Sequence, residues 1–229
     1  MLLLFDIDGT LLAGTEPAVG EAMSAALKEV HGVDTTLIRT HIPTSGRTDG
    51  EIARAILLDA GVSAERIGAL ADRVRERCCD HAARLLPQDL SGAVLPGVRP
   101  LLDWLVEQPD VTLGLLTGNY EAIARMKLER AGIGGAFAGA PGAFGSDADD
   151  RAALPAIARR RAGTPGAPHP RDDTIVIGDT PQDIACARVD RVRCVAVASG
   201  AAGPNLLADA DAVARDAEEL QCVLTGLGI

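Results

Sequence analysis

Leu2 to Ile7 opens the chain with an apolar run that breaks at Asp6 and gives way to Asp8-Gly9-Thr10. A run this short, with no polar residue alternating through its first half, suits a strand covered on both faces, and such strands belong to parallel sheets flanked by helices. Further short runs that stop at polar residues follow at Val111 to Thr117, Thr174 to Gly178 and Arg193 to Ala198, with a weaker candidate at Ala212 and Val213. Between the second run and the third lie two helical stretches, Glu121 to Ala131 closed by Gly132 and Arg151 to Ala162 closed by Gly163, glycines where a C-cap belongs. The alternation predicts right-handed βαβ crossovers and a doubly wound, Rossmann-like α/β parallel sheet.

Roughly a hundred residues separate Ile7 from Val111, far more than one crossover helix needs. Pro17 to His31, Glu51 to Ala60 and Ala64 to Leu86 place apolar residues at helical spacing, with Gly32 and Gly61 as stops. The expected organisation is an α/β core of residues 1–13 and 95–229, with an all-helical cap of residues 14–94 inserted after the first strand. Ala136 to Gly145, rich in Gly and Ala, and Gly163 to Arg171, rich in Pro and Gly, read as surface connections.

Composition narrows the partners. Of 229 residues, 22 are Lys or Arg and 32 Asp or Glu, a net charge of −10. That is the wrong sign for gripping nucleic acid or an anionic membrane, so a small molecule is the expected partner. The opening apolar run is too short for a signal-peptide core or a membrane span, from which a cytoplasmic protein is expected. The five cysteines contain no Cys-x-x-Cys pair and read as buried, reduced small side chains.

Ligand sites in open parallel sheets lie beyond the carboxyl ends of the strands. The first run delivers Asp6 and Asp8 to that edge, and Gly9 lets the chain leave sharply. The second delivers Thr117-Gly118-Asn119, a hydroxyl and backbone N–H groups at a helix N-terminus, suited to phosphate. The third delivers Asp179, and Asp183 follows one helical turn later. Four carboxylates around one point require a cation, and an oxygen-only set selects Mg²⁺. Lys127 adds an ammonium near the same edge. In the helical insert, Thr44-Ser45-Gly46-Arg47-Thr48-Asp49-Gly50 suits a loop that closes over a polar substrate, with Arg47 and Thr48 as candidate contacts; Asp49 reads as a cap for the helix starting at Glu51.

These motifs resemble those of the haloacid dehalogenase superfamily: Asp6-Ile7-Asp8-Gly9-Thr10, then Thr117, then a lysine, then Gly178-Asp179-x-x-x-Asp183. The helical insert resembles the C1-type cap of its phosphoglycolate-phosphatase-like branch. The resemblance implies Asp6 as nucleophile and Asp8 as general acid and base. It implies a Mg²⁺ site from Asp6, the backbone carbonyl of Asp8, Asp179 and Asp183, and phosphate binding by Thr117, Gly118, Asn119 and Lys127. The substrate implied is a small phosphorylated metabolite.

One departure stands out. The superfamily's third-motif lysine usually precedes the helix before the fourth motif's strand, where this chain reads Gly145 to Arg151 without a lysine. Lys127 is expected to substitute, with Arg151 as the alternative. Asp8 separates a phosphatase from a dehalogenase, which lacks an acid/base carboxylate there. A phosphomutase shares all the motifs, and a receiver-like phosphoacceptor module is the alternative from another class.

Overall fold

The computed structural model describes residues 1–38, 40–200 and 202–229. Among these residues six strands form one parallel sheet: β1 (Leu2–Phe5), β2 (Thr112–Thr117), β3 (Gly142–Phe144), β4 (Thr174–Gly178), β5 (Arg193–Val197) and β6 (Ala212–Ala214). Their spatial order is β3-β2-β1-β4-β5-β6. β1 lies at the centre, Leu3 paired with Leu113 on one side and Ile175 on the other.

Both faces of β1 are covered, which is why it is apolar at every position. Leu3 and Phe5 enter one core cluster and Leu2 and Leu4 the other, as the period of two along a strand requires. The second cluster packs against α6 (Leu154–Ala162) and α7 (Pro181–Asp190) through Leu154, Ala158, Ile184 and Ala187. The first packs against α4 (Val98–Val106), α5 (Glu121–Arg130) and α8 (Ala217–Gly226).

That first cluster runs without a break into three helices between β1 and α4: α1 (Glu16–His31), α2 (Asp49–Asp59) and α3 (Ala64–Leu85). Pro17 stands in the first turn of α1, and Gly32 closes the helix in the left-handed conformation, φ 73°, with its N–H donating to the Lys28 carbonyl. Thr48 and Ser63 cap α2 and α3, each hydroxyl accepting from a backbone N–H three residues on. The chain leaves the sheet and returns to it side by side: Ala13 N–H donates to the Ala93 carbonyl and Leu95 N–H to the Leu11 carbonyl.

Two expectations need correction. Ala136 to Gly145 is not wholly surface connection, because Gly142–Phe144 is a fully buried edge strand. Three residues with two small ones leave no hydrophobic run to read, and a Cβ at Gly142 would crowd the Phe144 ring at 2.8 Å and the Leu115 carbonyl oxygen at 3.2 Å. Gly163 does close α6, its N–H donating to the Arg159 carbonyl, in an extended rather than a left-handed conformation, φ −83°; a Cβ there would strike the Ala167 carbonyl oxygen. Of the cysteines, all unpaired, Cys78, Cys186 and Cys194 are buried but Cys222 is exposed on α8. Among the described residues no helix is long and apolar enough to cross a membrane.

Candidate active site

The residues after β1 turn across the carboxyl edge of the sheet beside those after β4. Gly9 makes this turn possible: its φ is +85°, and a Cβ would stand 2.2 Å from an Asp179 oxygen. Gly200 leaves room on the other side, where a Cβ would overlap the same carboxylate. Asp179 is thus confined between two backbones, with Thr10 Oγ1 donating to it at 3.2 Å. Asp183 is fully buried at the start of α7 in a reciprocal capping box, its Oδ2 accepting from both the N–H and the hydroxyl of Thr180.

Asp6, Asp179 and Asp183 each offer an oxygen within 4.8 Å of the others, all three side chains being buried. Burial raises the Asp179 pKa to about 7, with Asp6 and Asp183 adding repulsion. Burial likewise raises Asp6, partly offset by Arg151. Buried carboxyl groups held this close, with hard oxygen donors only, fit a divalent cation.

Arg151 enters this group from the turn before α6. Its Nη2 lies 2.5 Å from Asp183 Oδ1 and 3.3 Å from Asp6 Oδ2. Burial alone would lower its pKa, but Asp183 and Asp6 outweigh this and raise it. Its Nε is buried without a hydrogen-bond partner. Lys127, fully buried on α5, is occupied elsewhere: Nζ donates to both Asp8 oxygens at 2.8 and 2.7 Å and to Asn119 Oδ1 at 2.8 Å. Of the two candidate cations, then, Arg151 is the one against Asp6, and Lys127 is the one against Asp8. The Asp8 side chain faces Lys127 and Thr15, whose hydroxyl donates to it, and stands outside the group of three carboxylates.

Thr117 is buried at the end of β2, with the Asn119 N–H donating to its hydroxyl at 3.3 Å. The loop ahead of α2 presses directly on this turn: a Cβ on Gly118 would lie 2.1 Å from the Arg47 carbonyl oxygen. Arg47 lines the cavity, but its guanidinium is bound to Glu51 at 2.8 Å and to the Pro43 carbonyl at 3.0 Å. Thr48 does not line the cavity. Its hydroxyl is buried, donating to the Asp149 carbonyl at 2.6 Å and accepting from Glu51 N–H, which leaves it no part in touching substrate.

Asp49 also departs from expectation, since Thr48 rather than Asp49 caps α2. The Asp49 N–H donates to the Gly118 carbonyl, and its carboxylate accepts the Tyr120 N–H at 2.8 Å. Thr15, Thr10 and Asp49 were not legible as site residues. Only Thr10, adjoining the Asp-x-Asp-Gly motif, carried a sequence signal that could have marked it.

A doubly wound parallel sheet with a buried acidic cluster at its carboxyl edge, roofed by helices inserted after its first strand, is an α/β fold whose strand-end carboxylates could hold a divalent cation. Residues 3–188 match the family model of haloacid dehalogenase-like hydrolases, and the chain belongs to that family. No curated protein matches it significantly. Solved structures with the same fold include a hydrolase from Pseudomonas syringae, 22% identical with TM-score 0.67 over 99% of each chain. A predicted phosphatase from Clostridium acetobutylicum is 17% identical, TM-score 0.64, over 98% of each. A beta-phosphoglucomutase from Clostridium difficile is 17% identical, TM-score 0.63, over 99% of this chain and 95% of that one.

Proposed function

We propose that the protein is a Mg²⁺-dependent phosphatase acting on a small organic phosphate monoester through an aspartyl phosphate on Asp6. The observation that carries this reading is the difference between the two carboxylates after β1. Asp6 faces Arg151 at 3.3 Å amid the acidic cluster, whereas Asp8 faces Lys127 at 2.7 Å. Two carboxyl groups in unlike surroundings suit two tasks.

An Asp6 oxygen attacks phosphorus and the bond to the alcohol oxygen breaks, the departing oxygen taking its proton from Asp8. Water then attacks the phosphorus of the aspartyl phosphate and gives its proton to Asp8, which releases inorganic phosphate and restores both residues. A phosphate beside Lys127 competes with Asp8 for the ammonium hydrogens, loosening that ion pair so that Asp8 can carry a proton. Arg151, Thr117 and the N–H groups at the start of α5 supply the remaining donors for phosphoryl oxygens. Mg²⁺ bound by Asp6, Asp179 and Asp183, with the Asp8 backbone carbonyl, would neutralise charge on nucleophile and phosphate.

Release of inorganic phosphate from a panel of esters, with Mg²⁺ and with excess chelator, tests the proposal. Asp6→Asn is expected to lose about three orders of magnitude or more in kcat while keeping the wild-type circular dichroism. Retained turnover in that variant would remove the nucleophile assignment. A sugar phosphate isomerised without phosphate release would favour a phosphomutase, the activity named for the C. difficile relative. The receiver-like alternative falls with the family assignment.

A further inference from the structure

Above the phosphate end of the site the cavity changes character. It encloses about 490 Å³, within the range that holds a small organic ligand and more than a phosphate group fills. Its floor is charged, built by Asp6, Asp8, Lys127, Arg151 and Asp179. Its roof is mainly apolar: Val19, Gly20 and Met23 present one face of α1, and Ile52 comes from α2, where Arg47 and Asp49 stand beside it. Val19 and Met23 are buried core residues as well as cavity walls.

Of the polar side chains near this roof, Arg47 is held by Glu51 and Pro43, and Asp49 accepts the Tyr120 N–H on Oδ2. Thr44 and Ser45 stand at the exposed rim. A polyol entering here would shed water from each hydroxyl against methyl groups and a thioether, and a hydroxyl buried without a partner is costly. Hydrocarbon would instead gain from every contact, and Met23 can adapt its shape to a flexible chain. Gly20 stands exposed at the edge of this roof, where a Cβ would meet nothing within 4 Å.

From these walls we infer that the alcohol half of the substrate is apolar, an alkyl or arylalkyl group rather than a sugar or other polyol, and that Val19, Gly20, Met23 and Ile52 select it. The inference rests on the phosphatase reading for its phosphate end, but the roof can be tested without turnover. The first measurement is kcat/KM for primary phosphates with similar leaving groups: n-hexyl and 2-phenylethyl phosphate against glycerol 3-phosphate and glucose 6-phosphate. The apolar esters are expected to lead by about tenfold or more.

The second measurement is the dissociation constant, by calorimetry, of two non-hydrolysable ligands whose organic groups have the same number of non-hydrogen atoms, hexylphosphonate and 3,4-dihydroxybutylphosphonate. Hexylphosphonate is expected to bind about tenfold tighter or better. Gly20→Leu should weaken hexylphosphonate more than methylphosphonate, and Ile52→Asn should narrow the preference for hexyl over dihydroxybutyl. Tighter hexylphosphonate binding with no ester hydrolysed would sink the phosphatase reading and uphold the apolar roof. Equal or tighter binding of the dihydroxy ligand, or faster hydrolysis of the polyol phosphates, would overturn the inference.

Discussion

Asp49 places a carboxyl group beneath the roof with the Tyr120 N–H as its hydrogen-bond donor. Burial raises its pKa from 3.8 to about 6, the Tyr120 N–H and Lys127 offsetting part of the rise and Asp8 adding to it. Because the folded-state value lies above the unfolded one, the folded protein binds this proton more tightly, and stability falls as pH climbs through the window between them. Asp49→Asn keeps an acceptor for Tyr120 and removes the charge. Its melting temperature relative to wild type is therefore expected to rise by several degrees between about pH 4 and pH 7, as followed by circular dichroism. A difference that stays flat across that window would show that Asp49 ionises in the fold without penalty. This residue also marks a limit of sequence reading. The four strand-end aspartates are legible because a strand's end predicts where its next residue stands, whereas the contact between Asp49 and Tyr120 spans 71 positions and leaves no local pattern. The choice between Lys127 and Arg151 failed to resolve for the same reason: both cations reach the edge, and only packing decides which carboxylate each one meets.

At the scale of elements, the start of α2 works as a clasp. Thr48 donates to the Asp149 carbonyl, Asp49 N–H donates to the Gly118 carbonyl, and the Gly118 backbone lies flat against Arg47. Closure depends on position 118 having no side chain, since a Cβ would stand 2.1 Å from the Arg47 carbonyl oxygen. Gly118→Ala should hold the loop of residues 44–49 away from the turn after β2. Trypsin is then expected to cut after Arg47 several-fold faster than in wild type, because cleavage follows the population of the open form, and kcat/KM should fall about tenfold or more with the lost enclosure. Unchanged proteolysis would mean that the contact does not govern closure. The helices of this clasp were readable from their spacing and glycine stops, and the strands that are apolar throughout were readable from their runs. β3 was not, since Gly142 and Ala143 bury too little side chain to form a hydrophobic run.

For the whole molecule, the strand order decides where the acids meet. From β1 the chain builds outward through β2 and β3, then crosses to β4 on the other side of β1, so the reversal falls between β1 and β4. In such sheets the crevice at the reversal is where ligands bind, and here it receives Asp6 from one strand and Asp179 from the other. The alternation of strand and helix made a parallel sheet legible, but the edge position of β3 and the presence of α8 depended on packing that short segments do not announce. The same convergence makes the fold strain against itself, because Asp179 is pushed up to about 7 by burial and by Asp6 and Asp183, and among the described residues Arg151 is the one cation bound into the cluster. A divalent ion that binds only the folded state relieves this and stabilises by mass action, about 2.7 kcal/mol at a hundredfold excess over Kd. For a chain of 229 residues that corresponds to a rise in Tm of roughly 5–10 °C. Adding Mg²⁺ at neutral pH is expected to produce such a rise in differential scanning calorimetry, chelator to reverse it, and Asp179→Asn to abolish most of it. The variant should itself melt no lower than the metal-free wild type, since it removes one of the mutually repelling charges. A Mg²⁺ response of full size in Asp179→Asn would place the ion elsewhere and leave the carboxylates after β1 and β4 without their proposed partner.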